Sequence, residues 1–179
     1  MSFDSAARDF LRDHGAASIE HPGGTLCSHL CRVEQRLADL GAGHDVQLAG
    51  LTHAAYGTDG FATSLLAWSD REPLRSVIGE DAEALVYLYG ACDRKNTWPT
   101  LAGTATVHDR FTGQPQRLTA SQLVPFVDLS IVNELDVIDH NPALLERHGA
   151  YFSDLFTRWA PVTSPSVTDE IRHVLAGRA

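Results

Sequence analysis

Apolar residues between Leu26 and Leu40 fall at Leu26, Leu30, Val33, Leu37 and Leu40, which is one face of a 3.6-residue helix. Thr25 is placed to cap its start, and Gly41 and Gly43 close it. The next segment, Val46 to Tyr56, is apolar on almost every side, with Val46, Leu48, Ala49, Leu51, Ala54 and Ala55. Such a segment predicts a helix sunk in the core rather than lying on it. A one-faced helix followed by an all-round apolar one leaves few options, because further helices must wrap the second. The chain supplies them. Helical spacing recurs over Phe3–His14, Arg71–Ile78, Asp81–Cys92, Ser121–Ile138, Ala143–Trp159 and Thr168–Ala176. Gly15, the loop His21-Pro22-Gly23-Gly24, Gly57-Thr58-Asp59-Gly60, Gly79, Pro161 and Pro165 break it. Only Thr104 to Leu118 changes character, reading as a small surface hairpin. The expected fold class is all-α, with seven or eight helices and one β-hairpin insertion around 104–118.

A chain of 179 residues fits one domain, 1–179, large enough to fold without disulfide or metal staples. Fourteen basic residues against 23 acidic ones give a formal charge of −9, which argues against nucleic acid or an anionic membrane as partner. Cys27, Cys31 and Cys92 form no Cys-x-x-Cys pair, so no disulfide scaffold or zinc ribbon is expected. The start of the chain is charged, unlike a signal peptide, and the longest apolar stretch, Ala84 to Cys92, is far short of the roughly twenty residues a membrane span needs. A cytoplasmic protein is expected, acting on a small molecule. A homodimer is compatible with this composition.

Three polar residues interrupt apolar faces. His29 lies within the stripe of the 26–40 helix, His53 on the apolar helix after it, and Asp128 among Val124, Val127, Ile131 and Leu135. Burying a lone carboxylate costs several kcal/mol, so Asp128 needs a proton, hydrogen bonds or a cation. One divalent metal shared with the two imidazoles would satisfy all three residues. The plainer reading is that each histidine is a hydrogen-bonded core residue and that Asp128 caps a backbone or pairs with an arginine.

These residues carry a resemblance. A helix with an inward His29, the helix Asp45-Val-Gln-Leu-Ala-Gly-Leu-Thr-His53 and the late helix Val127-Asp128-Leu-Ser-Ile-Val-Asn133-Glu-Leu-Asp136 resemble, in that order, the HD superfamily of metal-dependent helical enzymes. The likeness covers about residues 20–140 and is nearest to the hydrolase domain of guanosine tetraphosphate hydrolases. The segments 52–61 and 84–94 also look like a set of uncharacterised HD-like proteins. The resemblance implies His29, His53 and Asp128 as ligands of a divalent metal, with zinc, manganese and iron all open. His21, just before the first ligand helix, is a further candidate ligand, or simply a turn residue before Pro22. The chain departs from the superfamily at Ala54, where the namesake aspartate stands. It departs again at Gly57 and Thr58, where the nucleotide hydrolases place Glu-Asp.

A three-ligand metal with open positions implies hydrolysis of a small, phosphorylated or other electrophilic metabolite by a metal-activated water. An Fe(II) oxygenase using the same two histidines and one carboxylate is the alternative. A non-catalytic ligand-binding descendant, consistent with Ala54, is the third. Tyr56, Asp59 and Arg94 are the expected catalytic residues, moving protons or orienting substrate. Asn133 lies five residues past Asp128, off its helix face.

Overall fold

A computed structural model describes residues 3–61 and 63–176. Ten α-helices make up most of them: α1 (Phe3–Asp13), α2 (Leu26–Asp39), α3 (His44–Thr52), α4 (Glu72–Ile78), α5 (Glu80–Ala91), α6 (Arg94–Thr97), α7 (Leu101–Thr104), α8 (Ala120–His140), α9 (Pro142–Trp159) and α10 (Pro165–Ala176). Strands β1 (Glu20–His21) and β2 (Gly24–Thr25) form one antiparallel hairpin, with His21 opposite Gly24. Strands β3 (Thr106–His108) and β4 (Pro115–Arg117) form the other, with Val107 opposite Gln116. The fold is all-α with a small hairpin inside 104–118.

Helix α2 starts where Thr25 predicts. The Thr25 hydroxyl accepts the Ser28 N–H at 3.2 Å, and the Ser28 hydroxyl accepts the Thr25 N–H at 2.9 Å, so two orphan donors are satisfied reciprocally. Leu26, Leu30, Val33 and Leu37 are buried, as the stripe requires. Helix α3 packs on α2, then on α5 and α8. Gly50 sets how closely α3 approaches α2. A Cβ there would stand 2.4 Å from the Leu37 Cδ1 and 3.6 Å from the Glu34 Cα.

Helix α8 is the axle of the bundle, packed against α2, α3, α5, α9 and α10. Every residue from Phe126 to Asp136 is buried, so this helix has no solvent side over three turns. Its first turn is fixed by Gln122, whose side-chain oxygen accepts the Thr119 N–H at 3.0 Å. Arg36 ties the far end together, donating to Asp139 on α8 and Glu170 on α10. Among the described residues no helix is long and apolar enough to cross a membrane.

The structure corrects three sequence expectations. The apolar helix expected over 46–56 ends at Thr52, and residues 53–56 turn. The 21–24 loop is the tip of a hairpin. Between Cys92 and Thr106 the chain makes two four-residue helices, too short to show a hydrophobic period.

Candidate functional site

Three histidines meet at the junction of α2, α3 and the β1–β2 hairpin. His29 projects from the second turn of α2, and His53 caps the end of α3. Both are almost wholly buried, at 1% and 2% exposure. Their Nε2 atoms stand 3.3 Å apart with the rings steeply inclined, at 83°. His21 stacks on His29 with ring centres 4.0 Å apart, and its Nδ1 is buried with no hydrogen-bond partner among the described residues.

The outer nitrogens fix the tautomers. His29 Nδ1 lies 2.6 Å from an Asp136 carboxylate oxygen, which can only accept, so this nitrogen carries a hydrogen. His53 Nδ1 donates to the Gly50 carbonyl at 2.8 Å in the same way. Each imidazole therefore turns Nε2 inward. Asn133 joins them. Its amide nitrogen donates to Glu134 at 3.0 Å, which leaves the Asn133 Oδ1 facing His29 Nε2 at 3.0 Å. Two ring nitrogens and one amide oxygen converge with their own hydrogens already spent elsewhere. Such a set of acceptors calls for positive charge among them, either a proton or a metal ion.

The surrounding charges hold this arrangement in place. Asp136 also accepts from Arg32 Nε at 2.7 Å and Nη2 at 2.8 Å. Burial raises its carboxyl, but the hydrogen bonds from His29 and Arg32 outweigh that and hold it well below the usual carboxylate range. The same Arg32 donates to the Pro22 and Gly23 carbonyls at 3.3 Å, pinning the β1–β2 hairpin over the cluster. Burial and the facing His29 push His53 down to about 3, and push His21 down to about 4. Arg94 donates Nη1 to Glu134 and Nη2 to the Tyr89 hydroxyl, both at 2.8 Å, and so steadies the carboxylate that orients Asn133. Its backbone N–H goes to Asp59 at 2.9 Å. A cavity of about 200 Å³ opens here, with His21, His29, His53, Asp59, Arg94 and Asn133 on its wall.

Of the residues singled out from sequence, His21, His29, His53, Asp59 and Arg94 thus come together. Asp128 and Tyr56 do not. Asp128 is buried on another side of α8, where its carboxylate accepts the Ser164 N–H at 3.0 Å ahead of α10. It is the backbone cap of the plainer reading, and burial raises its carboxyl despite that bond. Tyr56 follows the turn after Thr52 away from the histidines, and its hydroxyl donates to Glu83 at 2.7 Å. Asn133 and Asp136, not Asp128, are the α8 side chains that face His29. Their spacing of three residues, on one face of α8, was the available signal.

No group of three His, Cys, Asp or Glu side chains that could hold a metal ion occurs among the described residues. The set present is two imidazoles and an amide, and it fits a divalent ion in its spacing. Two nitrogens about 2.0–2.1 Å from one tetrahedral ion stand about 3.3 Å apart, and each ligating ring ordinarily gives its other N–H to a carboxylate or a carbonyl. The pair His29–Asp136 and the pair His53–Gly50 are of that kind.

A family model described as a domain of unknown function, DUF6817, matches residues 10–94. That stretch is less than half of the 179 residues; it contains His21, His29, His53, Asp59 and Arg94 and stops before α8. Comparison with curated proteins and with solved structures returned no match.

Proposed function

We propose that the chain is a metal-dependent, HD-like enzyme that hydrolyses a small metabolite in the histidine cavity. The observation that carries this reading is the pair of inward Nε2 atoms at 3.3 Å, each backed by an acceptor on its Nδ1. His29, His53 and the Asn133 oxygen would hold a divalent ion, with His21 as a further nitrogen beside them. When bound, the ion would supply a Lewis acid that acidifies a water molecule toward neutral pH. The chain's own part is positioning. Asp136 and Gly50 orient the rings, Glu134 and Arg94 orient the amide, and the pinned hairpin limits access of solvent. Asp59, on the cavity wall, is the group placed to take a proton. A cavity of about 200 Å³ falls below the roughly 300–1,000 Å³ of drug-sized sites and suits a small metabolite.

The oxygenase alternative needs two histidines and a carboxylate, and the amide at Asn133 speaks against it. A second reading has its own support. The uncharged third donor, together with Ala54 on the cavity wall, favours a ligand-binding pocket that holds no metal. Elemental analysis of protein purified without chelator, followed by titration of stripped protein with zinc and manganese, separates the two. The enzymatic reading expects one ion per chain, lost in His53→Ala, and metal-dependent cleavage of p-nitrophenyl phosphate or bis-p-nitrophenyl phosphate. Absence of uptake by the intact protein would leave the binding pocket.

A further inference from the structure

A larger cavity of about 530 Å³ lies by the other end of α3, between its first turn, α5 and the start of α8. It is in the range of small-molecule sites and shares no residue with the histidine cavity. Val46, Leu85, Leu88 and Pro125 give it an apolar wall, and Asp45 and Asp81 stand exposed at its rim. Neither carboxylate forms an ion pair among the described residues. Arg71 and Tyr87 also line it.

Arg71 decides what this cavity can take. Its Nε and Nη2 make a two-pronged bond to Glu83 at 2.7 and 2.6 Å, and its guanidinium lies 4.1 Å over the Tyr87 ring. Glu83 is completely buried, and it accepts as well from Tyr56 at 2.7 Å and faces Arg75 at 3.5 Å. Arg75 is balanced in turn by Glu72, also at 3.5 Å, so what Arg71 offers the cavity is a held hydrogen-bond donor rather than a surplus charge. Nη1 of Arg71 makes no hydrogen bond among the described residues. Arg71 is thus locked on two sides and free on the third, which is how a guanidinium is prepared for a carboxylate. Acidic residues in a first helical turn are ordinary. A buried glutamate holding an arginine rigid beside a cavity is not accounted for by helix stability.

We propose that this cavity binds a small zwitterion of the amino-acid type, its carboxylate on Arg71 Nη1, its apolar side chain on Val46, Leu85, Leu88 and Pro125, and its ammonium on Asp81 or Asp45 at the rim. The ligand's carboxylate then meets a guanidinium and its ammonium a carboxylate, all on the lining of one cavity with apolar side chains. Nothing in this depends on the histidine cavity.

Isothermal titration of the full chain with L-leucine, leucinamide and 4-methylpentanoate tests it. Leucinamide lacks the carboxylate and 4-methylpentanoate lacks the ammonium. Loss of a charge-assisted hydrogen bond weakens binding by about tenfold or more, so each analogue should bind at least about tenfold less tightly than leucine. The double variant Asp45→Asn/Asp81→Asn, changed only at exposed positions, should bring leucine down to 4-methylpentanoate and leave the latter unchanged. Arg71→Lys keeps a charge for Glu83 but loses the fork, and should weaken leucine and 4-methylpentanoate alike. Equal binding of all three compounds, no binding of leucine, or an unaltered leucine affinity in the double variant overturns the proposal.

Discussion

Replacing Asp136 by asparagine tests the hub of the histidine cluster. The carboxylate accepts three short bonds, from His29 Nδ1 at 2.6 Å and from Arg32 at 2.7 and 2.8 Å. An amide of the same shape offers one accepting oxygen, and its NH2 must face His29 or Arg32, both donors. One donor is orphaned in a nearly closed environment, and a hydrogen bond to a charged group is worth about 1.5–3 kcal/mol. Removing one side of a buried ion pair costs about 3–5 kcal/mol, an upper bound here because Arg32 is partly exposed. The expected loss is therefore about 2–4 kcal/mol, read as a lower urea midpoint with an unchanged m-value. A second signature separates this from plain destabilisation. With no acceptor-only partner at Nδ1, His29 is free to place its hydrogen on Nε2, which long-range ¹H–¹⁵N spectra report directly. A loss below about 1 kcal/mol, with the hydrogen still on Nδ1, would refute the account of Asp136 as the group that fixes the ring.

Gly50→Ala adds a Cβ 2.4 Å from the buried Leu37 Cδ1, so overpacking of about 1–3 kcal/mol should exceed the roughly 1 kcal/mol gained in helix propensity; a urea midpoint at or above that of the parent would contradict it. Asp128→Asn keeps an acceptor for the Ser164 N–H and removes a buried charge, so stability should hold or rise by about 1 kcal/mol at pH 7, and any metal uptake should be unaltered; loss of metal would restore Asp128 as a ligand. His53 and His21 are held at about 3 and about 4, below the ordinary 6.5 of histidine, so the folded chain binds fewer protons than the unfolded one as pH falls. Stability should be full above pH 6.5 and decline below it, by about 1 kcal/mol per pH unit for His53. Denaturation at pH 7, 5.5 and 4.5 checks this, and an equal decline in His53→Gln would count against it.

The sequence made the helices of one-sided burial easy to read. Leu26, Leu30, Val33 and Leu37 announced α2, and the same stripe put His29 on the inward side. His53 could be placed because it follows the buried Ala49 by four positions, one helical turn on. Helix α8 resisted the same logic for a physical reason. It is buried on all sides from Phe126 to Asp136, so its apolar positions mark no direction: the frame of Val124, Val127, Ile131 and Leu135 singled out Asp128 and set Asn133 off that face, whereas Asn133 and Asp136 are the residues that meet His29. Only knowledge of which neighbour lies on which side distinguishes them. Tyr56 was misdirected by an assumption of continuous helix, since the chain turns after Thr52. The β1–β2 hairpin, with two residues in each strand, has no periodicity to detect, yet it carries His21 to the cluster.

Gly50 serves two ends at once. Its missing side chain lets α3 lie against α2, and its carbonyl holds the His53 ring. Interhelix distance and imidazole orientation therefore cannot drift separately: a larger residue at position 50 would slide the anchoring carbonyl along with the backbone. Reshaping the pocket without moving that ring is therefore open at the rim, in the hairpin and α6, and closed at the α2–α3 contact.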